Sequence, residues 1–379
     1  METDILIVGG GLAGLSIADK LASEGVDFLL VEAQPQLGGR ILTQNVAGGA
    51  FDLGPAWFWL GQPRMAQLID RLGLQVFEQY SSGDIVFQDQ RGAVHKNRGY
   101  SSMQGSCRIA GGMGELITGL HRNLPGTSIR LEATVTSLTQ TDTGIQAQIR
   151  TKEQPDTVLA DRVVLAVPPR VVARTIQFAP QLPDAAMATL EHIPTWMAGQ
   201  AKIIAVYDKP YWRETGMSGD AMSQKGPMVE IHDASPKEGG PYALFGFVGV
   251  PASVRAAHRE ELLVLAREQL VAMYGPDMAT PVAILIEDWA ENPAIATASD
   301  QTSPNGHPIY GRPKSLTDLW SGSLMMASTE MGQQFGGFLE GALEVADETV
   351  SRLLATRLPR EKRMSVLPPG NSTDPKNPL

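Results

Sequence analysis

Apolar positions change their period twice across residues 4–33, DILIVGGGLAGLSIADKLASEGVDFLLVEA. Asp4–Val8 is a near-continuous apolar run and reads as a strand. Leu15, Ala18, Leu21 and Ala22 then share one face of a helix from about Leu12 to Glu24, which Gly25 can end in a left-handed cap. Val26–Glu32 is apolar nearly throughout, the mark of a parallel strand buried on both faces. Residues 126–151, GTSIRLEATVTSLTQTDTGIQAQIRT, alternate with a period of two and predict antiparallel strands turning at Asp142-Thr143-Gly144. ADRVVLAVPP is a further buried strand, stopped by Pro168 and Pro169. Helical spacing recurs over Arg255–Tyr274 and Glu340–Leu354. From 357 to 379 the chain is Pro-rich with few large apolar residues, which predicts a disordered tail.

One polar residue interrupts an otherwise apolar strand. In GQAKIIAVYDKPYW, Lys202 shares a face with Ile204 and Val206. A buried ammonium is costly unless it is paired or loses its proton. Either the head snorkels to water from the strand end, or it occupies a site that makes use of it.

Composition narrows the class. The chain has 379 residues, 43% hydrophobic and 19% charged, which suits a soluble globular protein of two domains. A net charge of −10 argues against nucleic-acid binding. Cys107 is the only cysteine, so no intrachain disulfide or cysteine-rich zinc site can form. The six histidines lack metal-binding spacing, and no Ser-x-x-Lys or nucleophile elbow supports hydrolase chemistry. With no apolar run near the ~18 residues of a membrane span and no leader-like N-terminus, a cytoplasmic protein without a membrane anchor is expected, as a monomer or homodimer.

Gly9-x-Gly11-x-x-Gly14 falls between a strand and a helix, and Glu32 closes the next strand. That context turns a weak motif into a dinucleotide fingerprint. Gly9 permits the tight turn, Gly11 lets backbone approach a pyrophosphate, and Gly14 lets helix and strand pack closely. The helix N-terminus, opening at Leu12 and Ala13, faces phosphate charge. Glu32, followed by Ala33, is placed to bind a ribose hydroxyl. Gly38-Gly39-Arg40 adds small residues and a fixed cation beside the pyrophosphate.

The segments GGGLAGL, VEA, GGRILT and FDLGPAW, followed in order by CRIAGGMGEL, LEATVTSL, VVLAVPP, KIIAVYDKPYW and ASTEMGQQFGGFLEGALEVADE, resemble the flavin-containing amine oxidase family. The likeness spans residues 4 to about 355. It implies a mixed α/β fold: a Rossmann-like FAD-binding domain of the p-hydroxybenzoate-hydroxylase type with an interleaved mixed-sheet substrate domain. The FAD domain would use 1–80, 106–182 and 305–356, and the substrate domain 81–105 and 183–304. It further implies that Gly39, Arg40, Gly54, Pro55 and Ala56 lie along the cofactor. The backbone at Val135 would hold the adenine, and Glu330 would lie near the ribityl-pyrophosphate region. Phe338 and Leu339 would open the last helix beneath the flavin pyrimidine. Lys202, ten positions before Trp212, would reach flavin N5 through a water. The implied reaction is hydride transfer from an amine C–H to N5, giving an imine, with O2 reoxidising the flavin to H2O2.

Departures from the family pattern carry expectations of their own. Of the two aromatic residues that flank the substrate amine, counting from Trp289 puts the first at Ser299, while the second is Phe338. The missing wall would come from Trp57, Trp59 or a shifted Tyr310. Trp57, Phe58 and Trp59 read as pocket wall or plain core, and the resemblance favours Trp57 for the pocket, since it follows a glycine turn near the flavin in the family. Ser328 stands where the family has glycine. Ala298 occupies the position of the cysteine that attaches flavin in some members, so the FAD is expected to be non-covalent. The short segment from Ser81 to Ser106 predicts a more open or differently walled pocket. Two other functions fit the same residues: a flavin dehydrogenase or desaturase of a non-amine, and a redox-silent flavin-binding accessory protein.

Overall fold

The computed structural model describes residues 1–355 apart from 98, 153 and 303–305; the tail expected over 357–379 lies outside the described residues. The first apolar run forms strand β1, Glu2–Val8. Helix α1 follows over Leu12–Ser23, and strand β2 spans Phe28–Val31. β1 runs parallel to β2 on one side and to strand Asp156–Leu165 on the other. With neighbours on both edges and cover on both faces, all of β1 but Glu2 is buried, so the sequence has no polar alternation to show. Glu32 stands one residue past the end of β2, where the ligand edge of a parallel sheet lies.

This sheet has eight strands. Ile129–Arg130 extends it beyond β2, and Leu324–Met326 adds in parallel to Asp156–Leu165. The predicted hairpin appears as Thr134–Thr141 and Gly144–Arg150, antiparallel, with Gln177–Ala179 on its outer edge. The last helix, Leu339–Ala355, joins the same core through Leu343, Val345, Ala346 and Val350.

A second sheet has seven strands in the order Ala283–Asp288, Ala201–Tyr207, Tyr242–Val248, Met228–Asp233, Met217–Ser223, Asp84–Gln88, Val94–Lys96. All pairs are antiparallel except Met217–Ser223 with Asp84–Gln88. Strand Ala201–Tyr207 is buried at every position. Its odd-numbered side chains join a core with Leu262, Ala266 and Leu270 of helix Arg259–Tyr274. Ile204 and Val206 face the other way, onto Phe51, Leu53 and Phe245. Burying Ile203, Ile204 and Val206 is worth roughly 2 kcal/mol each, enough to set against one lysine on the same strand.

The single helix expected over Arg255–Tyr274 is broken. Ala252–Arg255 forms one turn, and the long helix starts at Arg259. At the break the buried Arg255 guanidinium makes bonds of 2.7 and 2.6 Å to Asp288 and also donates to the carbonyls of Val250 and Gly199. Among the described residues, no helix is long and apolar enough to cross a membrane.

Candidate active site

The fingerprint loop is built as its glycines require. Gly9 has φ +105° and donates to Val31 O at 2.8 Å. A Cβ on Gly14 would come 1.9 Å from Gly9 O, so α1 can sit this close to β1 only with glycine there. Gly11 caps α1 in an ordinary extended conformation. A Cβ there would meet no protein atom nearer than 3.8 Å and would project into open space. That space is part of a cavity of about 810 Å³ lined by both sheets, within the ~300–1,000 Å³ of ligand pockets.

Most of the expected cofactor contacts border this cavity: Gly9, Gly11, Leu12, Ala13, Glu32, Ala33, Gly39, Arg40, Gly54, Pro55, Ala56, Val135, Phe338 and Leu339. Glu32 Oε2 accepts from Gly10 N at 2.6 Å and Oε1 from Gln34 N at 2.8 Å. Burial pushes its carboxyl up, against those amide bonds. At Val135 the hairpin register shifts before Ser137, a local break in the ladder. Two expected residues lie elsewhere. Gly14 is beneath the loop, packed against Gly9. Glu330, fully buried, lies behind the wall and binds Arg40 through contacts of 2.7 and 3.3 Å. Its carboxylate therefore fixes the cation that borders the cavity. The Ser328 hydroxyl is buried beside the cavity without a hydrogen-bond partner among the described residues.

Lys202 is only 3% exposed, which rules out the snorkelling alternative. Its Nζ donates to Asp52 O at 3.0 Å and Gly54 O at 2.6 Å. Asp52 ends the antiparallel hairpin of Thr43–Val46 and Gly49–Asp52, and Gly54 follows two residues later. Nζ also lies 4.3 Å from the ring centre of Phe245 and 5.6 Å from that of Phe247. Both rings come from the neighbouring strand, in which Phe247 pairs with Lys202. Burial lowers the Lys202 pKa to about 7; Asp52 opposes that shift and Arg108 adds to it. In the neutral amine two N–H bonds serve the two carbonyls, leaving the nitrogen lone pair free. Lys202 borders the cavity, so a proton can be held or released there near neutral pH.

The aromatic walls differ from expectation. Phe338, Trp57 and Trp59 line the cavity. Trp57 is both wall and core: it packs edge-on against His232 at 5.0 Å and donates from Nε1 to Gln79 at 2.7 Å. Ser299 and Ala298 are exposed on a single turn and do not line the cavity. Ser299, counted from Trp289 as the first cage position, thus lies outside the cavity lining. Thr297 and Asp300 close a capping box that folds this turn onto the surface. Tyr310 is not a lining residue either; its hydroxyl donates to Pro194 O at 2.8 Å.

Sequence reasoning missed Trp196, Met197 and Phe247, which all line the cavity. Phe245 and Phe247 alternate in a strand-like run, a signal that becomes specific only once that strand is paired with Lys202. His232 is a satisfied core histidine, bonded to Asp220 at 2.8 Å and Glu230 at 2.9 Å. Among the described residues, no group of three or more His, Cys, Asp or Glu is placed to hold a metal.

The sequence model of the family described as flavin containing amine oxidoreductase matches residues 89–354, and that of the NAD(P)-binding Rossmann-like domain matches residues 7–72. The chain is 23% identical to a probable flavin-containing monoamine oxidase A of Dictyostelium discoideum, over 94% of this chain and 99% of that protein. It is 22% identical to putrescine oxidase of Kocuria rosea, over 76% and 82%. Among solved structures, cyclohexylamine oxidase from Brevibacterium oxydans IH-35A superposes with a TM-score of 0.76 at 18% identity, covering 94% of this chain and all of that one (100%).

Proposed function

Because the chain belongs to the flavin-containing amine oxidoreductase family, we propose that it oxidises the C–N bond of a small amine with FAD bound non-covalently along the cavity. The observation that carries this reading is Lys202: a buried amine with a pKa of about 7 on the cavity wall, held by two carbonyls and two phenylalanine rings. The residues present fit the cofactor. Gly11 leaves open the space that a pyrophosphate needs, and the buried Ser328 hydroxyl has no partner among the described residues. Cys107 is buried and does not border the cavity, which supports non-covalent binding. The sheet membership supports a cofactor domain over 1–80, 106–182 and 305–356 and a substrate domain over 81–105 and 183–304.

When bound, FAD would supply the acceptor for the hydride of the amine C–H, with O2 as the terminal oxidant giving H2O2. The chain's own residues position and desolvate. Glu32 and the α1 N-terminus hold the ribose and phosphate end. Arg40, fixed by Glu330, adds a cation beside it. Phe338 and the tryptophans exclude water from the amine, favouring its neutral form. Lys202 holds or releases a proton at Nζ. No residue need attack covalently, since positioning supplies much of the rate.

In air, purified protein given primary and secondary monoamines should release H2O2 together with the carbonyl product of imine hydrolysis. The exposed position of Ser299 favours one second reading, a dehydrogenase of a non-amine, because it leaves the expected pair of cage aromatics incomplete. Turnover of non-amines with an artificial electron acceptor, with none for any amine, would put that reading first.

A further inference from the structure

We propose that Trp196, together with Met197, is the specificity-determining wall of the amine site and takes the place expected of Ser299. This rests on the amine-oxidising reading above. Both residues line the cavity beside Phe338. Met197 is one of the few non-glycine residues with a left-handed backbone, φ +62°. Such conformations persist where surrounding structure holds them. Here it turns two consecutive side chains, Trp196 and Met197, to one cavity.

The surroundings that hold the turn are specific. Tyr310 donates to Pro194 O at 2.8 Å, and Thr195 N donates to Asp300 Oδ1 at 3.2 Å. Asp300 is itself buried. Its Oδ1 also binds Arg170 at 2.6 Å, while Oδ2 accepts from Thr297. The segment that holds Ser299 thus braces the Trp196 loop through Asp300. His307 links the rings: it lies edge-on to Trp196 at 4.7 Å and stacks on Phe338 at 4.7 Å with a 12° interplanar angle. Gly337, at φ +85°, allows this approach, since a Cβ there would come 3.1 Å from Trp196 Cβ.

The chemistry of the lining sets the substrate class. Glu32, held by backbone amides in the fingerprint loop, is the only carboxylate among the described lining residues. Met197 and Phe338 line the cavity with Trp196, and His307 contacts both Trp196 and Phe338. A second ammonium of a diamine would find no carboxylate there, whereas a flat apolar group gains contact with the indole face. The amine is therefore a monoamine carrying an aryl or cycloalkyl group.

The test uses the FAD-loaded enzyme and an unreactive aryl probe, benzamide, titrated anaerobically and read from the flavin difference spectrum. Trp196→Ala should weaken benzamide at least about tenfold. It should raise KM for benzylamine by a larger factor than KM for methylamine. Trp196→Phe should restore most of the affinity. Should Trp196→Ala lose FAD, Trp196→Leu carries the same comparison. Benzamide affinity unchanged in the variant, or no benzamide spectrum with the wild type, overturns the proposal. Weakened benzamide binding in a protein whose wild type oxidises no amine would leave the wall standing and sink the amine reading.

Discussion

Lys202→Met is expected to fold, to hold FAD, and to lose at least about tenfold in flavin reduction or in its reoxidation by O2, roughly 1.4 kcal/mol of barrier. Methionine keeps the bulk of the stem and removes the ammonium held between Phe245, Phe247 and the carbonyls of Asp52 and Gly54. Burial holds the Lys202 pKa at about 7, against about 10.4 in an unfolded chain. Between those values the unfolded state binds the extra proton, so stability rises with pH across that window. The cost of the buried charge is full below about 7. The methionine variant should lose this rise and be no less stable than wild type at pH 6. The ionisation near 7 should also vanish from the pH profile of the reaction. Rates within twofold of wild type, with the ionisation intact, would remove Lys202 from the chemistry.

Gly11 and Gly14 are expected to fail in opposite ways. A Cβ on Gly11 enters open cavity, at least 3.8 Å from protein and with no backbone strain. Gly11→Val should therefore melt near the apo wild type yet bind FAD at least about tenfold more weakly, a loss of about 1.4 kcal/mol. A Cβ on Gly14 would lie 1.9 Å from Gly9 O. Gly14→Ala must push α1 off β1, costing at least the ~1–3 kcal/mol of an overpacked core and lowering Tm with or without FAD. Wild-type protein should be yellow and release its FAD into acid. Flavin that stays with the acid precipitate, or wild-type FAD content in Gly11→Val, would contradict the cofactor assignment.

The two variants also mark what could be read from the chain. The fingerprint was legible because strand, turn and helix are contiguous and each glycine answers a local need. Lys202 was legible as an anomaly, because a period of two fixes its face once Ile204 and Val206 are known to be buried. Its partners were not. Asp52 and Gly54 lie about 150 positions earlier, and Phe245 and Phe247 enter only through strand pairing. Ser299 was misplaced because counting from Trp289 assumes the loop's path, whereas the Thr297–Asp300 capping box bends it outward. The Trp196 loop carries no local pattern at all; its left-handed turn is held by Asp300 and Tyr310, more than 100 positions away. Glu330 matched by residue type, but its Arg40 partner, 290 positions away, became visible only in the fold.

Amine oxidation itself is tested most directly by following the oxidised-flavin absorbance of the purified protein under anaerobic mixing with primary and secondary monoamines such as benzylamine. The account predicts bleaching in a phase whose rate saturates with amine concentration, then recovery on admitting air with release of a stoichiometric amount of H2O2. A flavin that stays oxidised with every amine, while a chemical reductant bleaches it readily, would contradict the account.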